Sequence, residues 1–169
     1  EITPSVDFIR NATTLRHSTA IVKSMRILSL RVNAIIKAGD PRFYKHAVVI
    51  REKMEKDNTA AELLGSIDPL VLEGREILVN SQSSTHVDRY DPILAWVIIV
   101  ALGNFKGGHI YFPSLGLKVR LLPGDAVMMR GRILPHKVED WEGTQRISIP
   151  HFTHLSIWKK YGMANDVSA

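Results

Sequence analysis

A chain of 169 residues is long enough to bury a core of its own, and without a single cysteine it can build neither a disulfide framework nor a thiolate metal site. Its 45% apolar and 23% charged residues are those of an ordinary globular chain, and its longest apolar run, residues 93–102, is too short to cross a bilayer. The net charge of +5 is confined to the first third: residues 1–60 hold 11 Lys and Arg against 6 Asp and Glu, while residues 61–169 hold 11 against 11. A basic region placed in this way fits a polyanion such as nucleic acid, or else a solvated helix face. No secretory signal is read, no membrane is expected as a partner, and the absence of cysteine suits a reducing, intracellular compartment. A first residue that is Glu1 rather than methionine leads us to expect a processed or excised piece of a longer protein.

Residues 1–11 read as an irregular lead-in. From 13 to 38 apolar residues recur at three- and four-residue steps (Ile21, Met25, Leu28, Val32, Ile35 and Ile36), which predicts one helix, stopped by Gly39-Asp40-Pro41. No acidic residue lies between Asn11 and Gly39, and Arg16, Lys23, Arg26, Arg31 and Lys37 fall on the side of that helix away from the apolar stripe. This face could run along phosphates. A second helix is predicted over 41–56 and a short helical turn over 59–64. The grammar then changes to strands: 76–80, 95–102 (apolar enough to be buried on both faces), 109–112, 117–122, 126–130, 135–138 and 146–154. Gly103 to Gly108 reads as a mobile loop able to close over a substrate, and Glu142-Gly143 as a turn. The expected class is α+β: one domain over 1–169, a helical support region over 1–64 packed on one sheet of a jelly roll spanning 76–158.

The chemistry gathers around Thr85-His86-Val87-Asp88. In an extended segment His86 and Asp88 share a face, and with His136, 48 residues beyond Asp88, they make the two-histidine, one-carboxylate set of non-haem Fe(II) oxygenases. A lone His-x-Asp is weak, and a lone His136 is more often a satisfied histidine. Weight comes from Arg146 and Ser148. Alternation places Arg146, Ser148, Pro150, Phe152 and His154 on one strand face. A buried Arg146 needs an anion. That anion is either a structural partner such as Glu139 or Asp140, or a dicarboxylate such as 2-oxoglutarate. Phe152 and His154, further along that face, could stack on and hydrogen-bond to a flipped base. Asp91 could accept from an exocyclic amine.

The run from Asn80 through THVDRYD, LGNFKGG, FPSLGLKVRLLPGD, GRILPHKVEDWEG and QRISIPHFTHLSIW resembles the TET/JBP-type 2-oxoglutarate and Fe(II)-dependent nucleic-acid dioxygenases, in their short fungal form. The resemblance covers about residues 77–158; the N-terminal helices are similar by type alone. It implies His86, Asp88 and His136 as iron ligands, and Arg146 with Ser148 on the distal carboxylate of 2-oxoglutarate. Asn80 would border that co-substrate. Phe152 and His154 would lie against the base, as would Asp91, where animal members use Asn. It further implies a monomeric, nuclear enzyme whose partners are 2-oxoglutarate, O2 and DNA carrying a methylated base. The expected activity is oxidation of 5-methylcytosine to 5-hydroxymethylcytosine and beyond. The Cys-rich zinc region with which animal members grip DNA is missing, which turns attention to the basic helix. N6-methyladenine demethylation, thymine hydroxylation, hydroxylation of a protein or small molecule, and a non-enzymatic cupin-like module are the alternatives.

Overall fold

The computed structural model describes residues 3–161, and it divides between Val71 and Leu72 into two compact units. The first is helical. After a single turn, α1 (Val6–Ile9), come α2 (Ala12–Ser24), α3 (Arg26–Gly39), α4 (Pro41–Asp57) and α5 (Thr59–Ile67). Three side chains cap the helices in the ordinary way: Asn11, Asp40 and Asn58 accept from the amides of Thr14, Phe43 and Ala61. Helix α3 packs on α4 and α4 on α5, burying Val32, Ile36, Phe43, Ala47, Ile50, Met54 and Ala61. Buried Asn33 donates to the Pro69 carbonyl at 2.7 Å and accepts from the Val71 amide at 3.0 Å, which fastens the segment that leaves the unit.

The helix expected to run unbroken from 13 to 38 is two helices. At Met25 the backbone leaves helical geometry (φ −85°, ψ 5°), and its amide is shared between the carbonyls of Ile21 and Val22, each at 3.1 Å. The Ser24 hydroxyl bonds the Ile21 carbonyl as well, at 2.7 Å, a competition that bends helices. The apolar stripe is buried only beyond the break: α2 has no buried residue and Ile21 is 47% exposed. Arg16 and Lys23 therefore stand on one helix and Arg26, Arg31 and Lys37 on the next, all five exposed.

The second unit is two antiparallel sheets. One takes β1 (Gly74–Arg75), β2 (Leu78–Val79), β3 (Val97–Gly107), β6 (Ala126–Met129) and β8 (Trp141–Phe152). Its order is β1-β8-β3-β6, with β2 also along the outer edge of β8. The other places β4 (Ile110–Phe112) between β5 (Leu117–Val119) and β7 (Lys137–Val138), with a 3-10 turn at Pro113–Leu115. Helix α6 (Leu155–Lys160) follows β8. The chain is thus of the mixed helix and antiparallel-sheet class expected. Val97, Ala101 and Phe105 of β3 meet Ile110 and Phe112 of β4, Leu121 and Met129 in one core. The opposite face of β3 is buried too, at Ile98 and Val100, as its apolar sequence requires.

The expected loop at 103–108 is not a loop. Residues 103–107 continue β3 and pair with β8 from Gly103 opposite Arg146 to Gly107 opposite Trp141, with a bulge at Asn104/Phe105. The expected turn at Glu142-Gly143 lies inside that same ladder. The glycines misread as punctuation are there because the strands come too close for a Cβ. At Gly103 it would strike the Gln145 carbonyl, and at Gly143 (φ 140°) the Asn104 carbonyl and, at 2.7 Å, the Phe105 Cα. Replacing Gly143 by alanine should cost about 1–3 kcal/mol of stability, the usual cost of forcing a side chain into such backbone. A thermal or urea midpoint unchanged from wild type would contradict this register.

Candidate metal and ligand centre

The second unit encloses a cavity of about 280 Å³ between the faces of its strands. His86 and His136 open onto it from a single β-bridge. Each donates its amide to the other's carbonyl, at 3.0 and 2.9 Å, so the two residues are direct partners across an antiparallel pair. Their rings lie 4.4 Å apart at centroids. Asp88, two residues on from His86, presents Oδ1 3.7 Å from His86 Nε2. One donor atom from each of the three lies within 4.8 Å of the others. The expected alternation puts His86 and Asp88 on one face, and the β-bridge brings His136 beside them.

Both rings are set for coordination. Nδ1 of His86 faces the Ser84 carbonyl at 2.8 Å, and Nδ1 of His136 the Leu134 carbonyl at 2.9 Å. A carbonyl only accepts, so each Nδ1 carries its hydrogen and each Nε2 keeps a lone pair for a metal. Burial, with nearby His86, pushes the His136 imidazole below the ordinary range, against the Leu134 carbonyl and Asp88, which raise it. The neutral ring, the form that ligates, is favoured. The donors are hard or borderline and one is a carboxylate, with no sulfur present, which fits Fe(II).

Sequence reasoning missed Gly131. Its carbonyl accepts from the Asp88 amide at 3.0 Å, and a Cβ at this position would overlap the Asp88 carboxylate. The residue is glycine because the Asp88 carboxylate occupies the space where its side chain would be.

Arg146 is 1% exposed on the β8 wall of the same cavity. One terminal nitrogen donates to the Gly108 carbonyl at 3.2 Å, the guanidinium lies over Phe105 at 5.3 Å, and Nε is buried without a partner. The two acids that could have neutralised it are engaged elsewhere: Glu139 pairs with Lys118 at 2.7 Å and Asp140 accepts from Gln82 at 2.5 Å. Among the described residues no ion pair to Arg146 is formed. Burial alone lowers its pKa from the ordinary arginine value. Gly108 gives it room, since a Cβ there would stand 2.7 Å from Nε. Ser148, two residues further along the same wall, is buried and also lines the cavity.

Asn80 is not a wall of the cavity, where it was expected to border a co-substrate. It holds Arg146 from behind: its amide donates to the Arg146 carbonyl at 2.7 Å, and its side-chain oxygen accepts from the Arg146 amide at 2.9 Å. The left-handed backbone needed for this double grip (φ 54°) is one that Asn tolerates.

Asp91, Phe152 and His154 line the same cavity. Asp91 is buried, which together with Asp88 pushes its carboxyl up to about 7, against the opposing His154 and Arg132. The rings of Phe152 and His154 meet edge to face at 5.1 Å, and Phe152 lies so close over Gly74 that a Cβ there would overlap the ring. The Glu73 carboxylate raises the His154 pKa above the ordinary imidazole value, with Asp91 and Glu76 adding to it and burial opposing it.

On two antiparallel sheets the structure thus sets a two-histidine, one-carboxylate cluster that could hold a metal ion beside a buried guanidinium with no acid partner among the described residues. Among solved structures the chain is similar to NgTET1 in complex with 5mC DNA, with a TM-score of 0.67 and 15% identity. The match covers 88% of this chain and 54% of that one, so the chain spans about half of NgTET1, and it shares that protein's fold. No family model matches the sequence, and no curated protein does.

Gly131→Ala should lose Mn(II) or Fe(II) binding in anaerobic calorimetric titration by at least about tenfold, the scale seen when a ligand's support is removed. Affinity equal to wild type would mean that Asp88 is not a ligand in this geometry.

Proposed function

We propose that the chain is a 2-oxoglutarate and Fe(II)-dependent dioxygenase that oxidises the methyl group of 5-methylcytosine in DNA. One observation carries this reading: a buried guanidinium with no acid partner among the described residues opens on the same cavity as His86, Asp88 and His136. An unpaired buried cation is costly, and a carboxylate-bearing ligand relieves it. The antiparallel strands support a double-stranded β-helix, with the catalytic core over 76–158 of one dioxygenase domain. The similarity to a TET protein bound to 5mC DNA supports the choice of substrate.

Iron held by His86, Asp88 and His136 would supply the activation of O2. The rest falls to the chain. Arg146 takes the distal carboxylate of 2-oxoglutarate through its free donors, and the Ser148 hydroxyl assists. Asn80 fixes the Arg146 backbone, so the guanidinium meets its ligand without reorganising. Val97, Ile99 and Ile110 wall the cavity with apolar surface and exclude water. Phe152 stacks on the base, His154 donates to it, and Asp91 addresses its amine edge. Exposed Arg16, Lys23, Arg26, Arg31 and Lys37 supply phosphate contacts, which makes binding fall with salt. Among the described residues no helix is long and apolar enough to cross a membrane. A nuclear location follows from the proposed substrate.

The test is product mass spectrometry after incubation with Fe(II), 2-oxoglutarate and three oligonucleotides, carrying 5-methylcytosine, N6-methyladenine or only thymine. Oxidised 5-methylcytosine with matching succinate is expected. His136→Ala should lower it by more than about 100-fold, the upper end of the loss when only a ligand's hydrogen-bond partner is removed. Product from another oligonucleotide alone would reassign the base. Undiminished turnover by His136→Ala would remove the ligand assignment.

A further inference from the structure

Glu73 lies just before β1, and nothing in the motifs marks it. Yet its Oε1 is where three groups of the distant β8–α6 junction converge. It accepts from the Thr153 hydroxyl at 2.9 Å and from the His154 amide at 2.5 Å, and it lies 3.6 Å from His154 Nδ1. Thr153 is held from its other side by the Trp158 indole N–H, and Trp158 is 1% exposed. The carboxylate is thus anchored by buried groups, with its side chain 11% exposed. The His154 side chain is 45% exposed and lines the cavity, its ring edge-on to Phe152. One residue away, a Cβ at Gly74 would strike Phe152. The segment Glu73-Gly74 therefore sets the position of both rings.

We propose that Glu73 is a positioning residue of this cavity. Its carboxylate holds the charged His154 ring with Nδ1–H toward itself, so that the imidazolium also offers Nε2–H to whatever enters. This rests on the function proposed above for its meaning, but not for its geometry. An acceptor fixed at Nδ1 chooses the ring's protonation pattern, as in catalytic histidine pairs. The acids that raise the His154 pKa are Glu73 first, then Asp91 and Glu76; Arg89 lines the same cavity, Arg132 acts on Asp91, and Asp91, pushed up to about 7, itself loses charge as the pH falls below that. Glu73 does not itself line the cavity; it acts through His154, which does.

The sign of the pH effect follows. A ring whose pKa is raised in the folded protein contributes stability fully below the ordinary imidazole value of about 6.5. That contribution is lost as pH rises through the raised value. Donation from His154 to a base should fade over the same range.

Nitrogen-15 NMR of the His154 ring in the wild-type protein tests this without any assay of activity. The expected spectrum shows Nδ1 protonated through neutral pH and a titration midpoint above 6.5, the ordinary value. In Glu73→Gln, which keeps the shape and the acceptor for Thr153, the midpoint should return toward 6.5. Glu73→Asp should retain part of the shift. On methylated oligonucleotide, Glu73→Gln should raise KM about tenfold, the loss of one charge-assisted hydrogen bond, with kcat little changed. A wild-type ring with its neutral-form proton on Nε2 would overturn the proposal, and so would an identical titration in wild type and Glu73→Gln. A shifted ring in a protein that oxidises no base would instead retain Glu73 and remove the proposed function.

Discussion

The β-bridge between His86 and His136 is the constraint on which the rest depends. Two amides and two carbonyls exchange hydrogen bonds across one residue pair, so the backbone that carries both histidines is fixed at once. The carbonyls of Ser84 and Leu134, each two residues before its histidine, then choose the ring tautomers. Asp88 follows from the alternation of the same extended segment, and Gly131 leaves its carboxylate room. The geometry of three donor atoms is set by main chain, which is stiffer than any side-chain network.

The same logic holds for the anion side of the cavity. Arg146 sits in the long β3–β8 ladder, is clasped from outside by Asn80, and has Gly108 where a larger residue would collide with it. Its neighbours Glu139 and Asp140 are committed to Lys118 and Gln82. A buried guanidinium costs several kcal/mol unless an anion meets it, so its isolation is what the proposed dicarboxylate would relieve. The His86–Asp88–His136 cluster and Arg146 thus line one cavity, together with the apolar Val97, Ile99 and Ile110.

Much of this was legible in the sequence because alternation is a strong signal. His86 with Asp88, and Arg146 with Ser148, Phe152 and His154, share faces by simple period-two counting, and the cavity walls follow it. What was hidden belongs to other physics. Gly103 and Gly143 read as loop residues because glycine marks turns, whereas here it permits two strands to approach. The break at Met25 arises from a Ser24 hydroxyl competing for a helix carbonyl, against an apolar pattern that continues straight through. Asn80 resembled a cavity residue and is a backbone clasp. Glu73 lies 81 residues from the amide it binds, a separation across which no pattern in the chain connects them.

In the proposed function one cavity couples a metal to a dicarboxylate through Arg146. Anaerobic calorimetric titration with Mn(II) and then 2-oxoglutarate, on wild type and Arg146→Ala, tests it most directly. Wild type should bind Mn(II), and 2-oxoglutarate only after Mn(II). Arg146→Ala should keep the metal and weaken 2-oxoglutarate by about 100-fold or more, as loss of a buried charge pair does. Equal 2-oxoglutarate affinity in the two proteins, or binding of 2-oxoglutarate indifferent to metal, would contradict it.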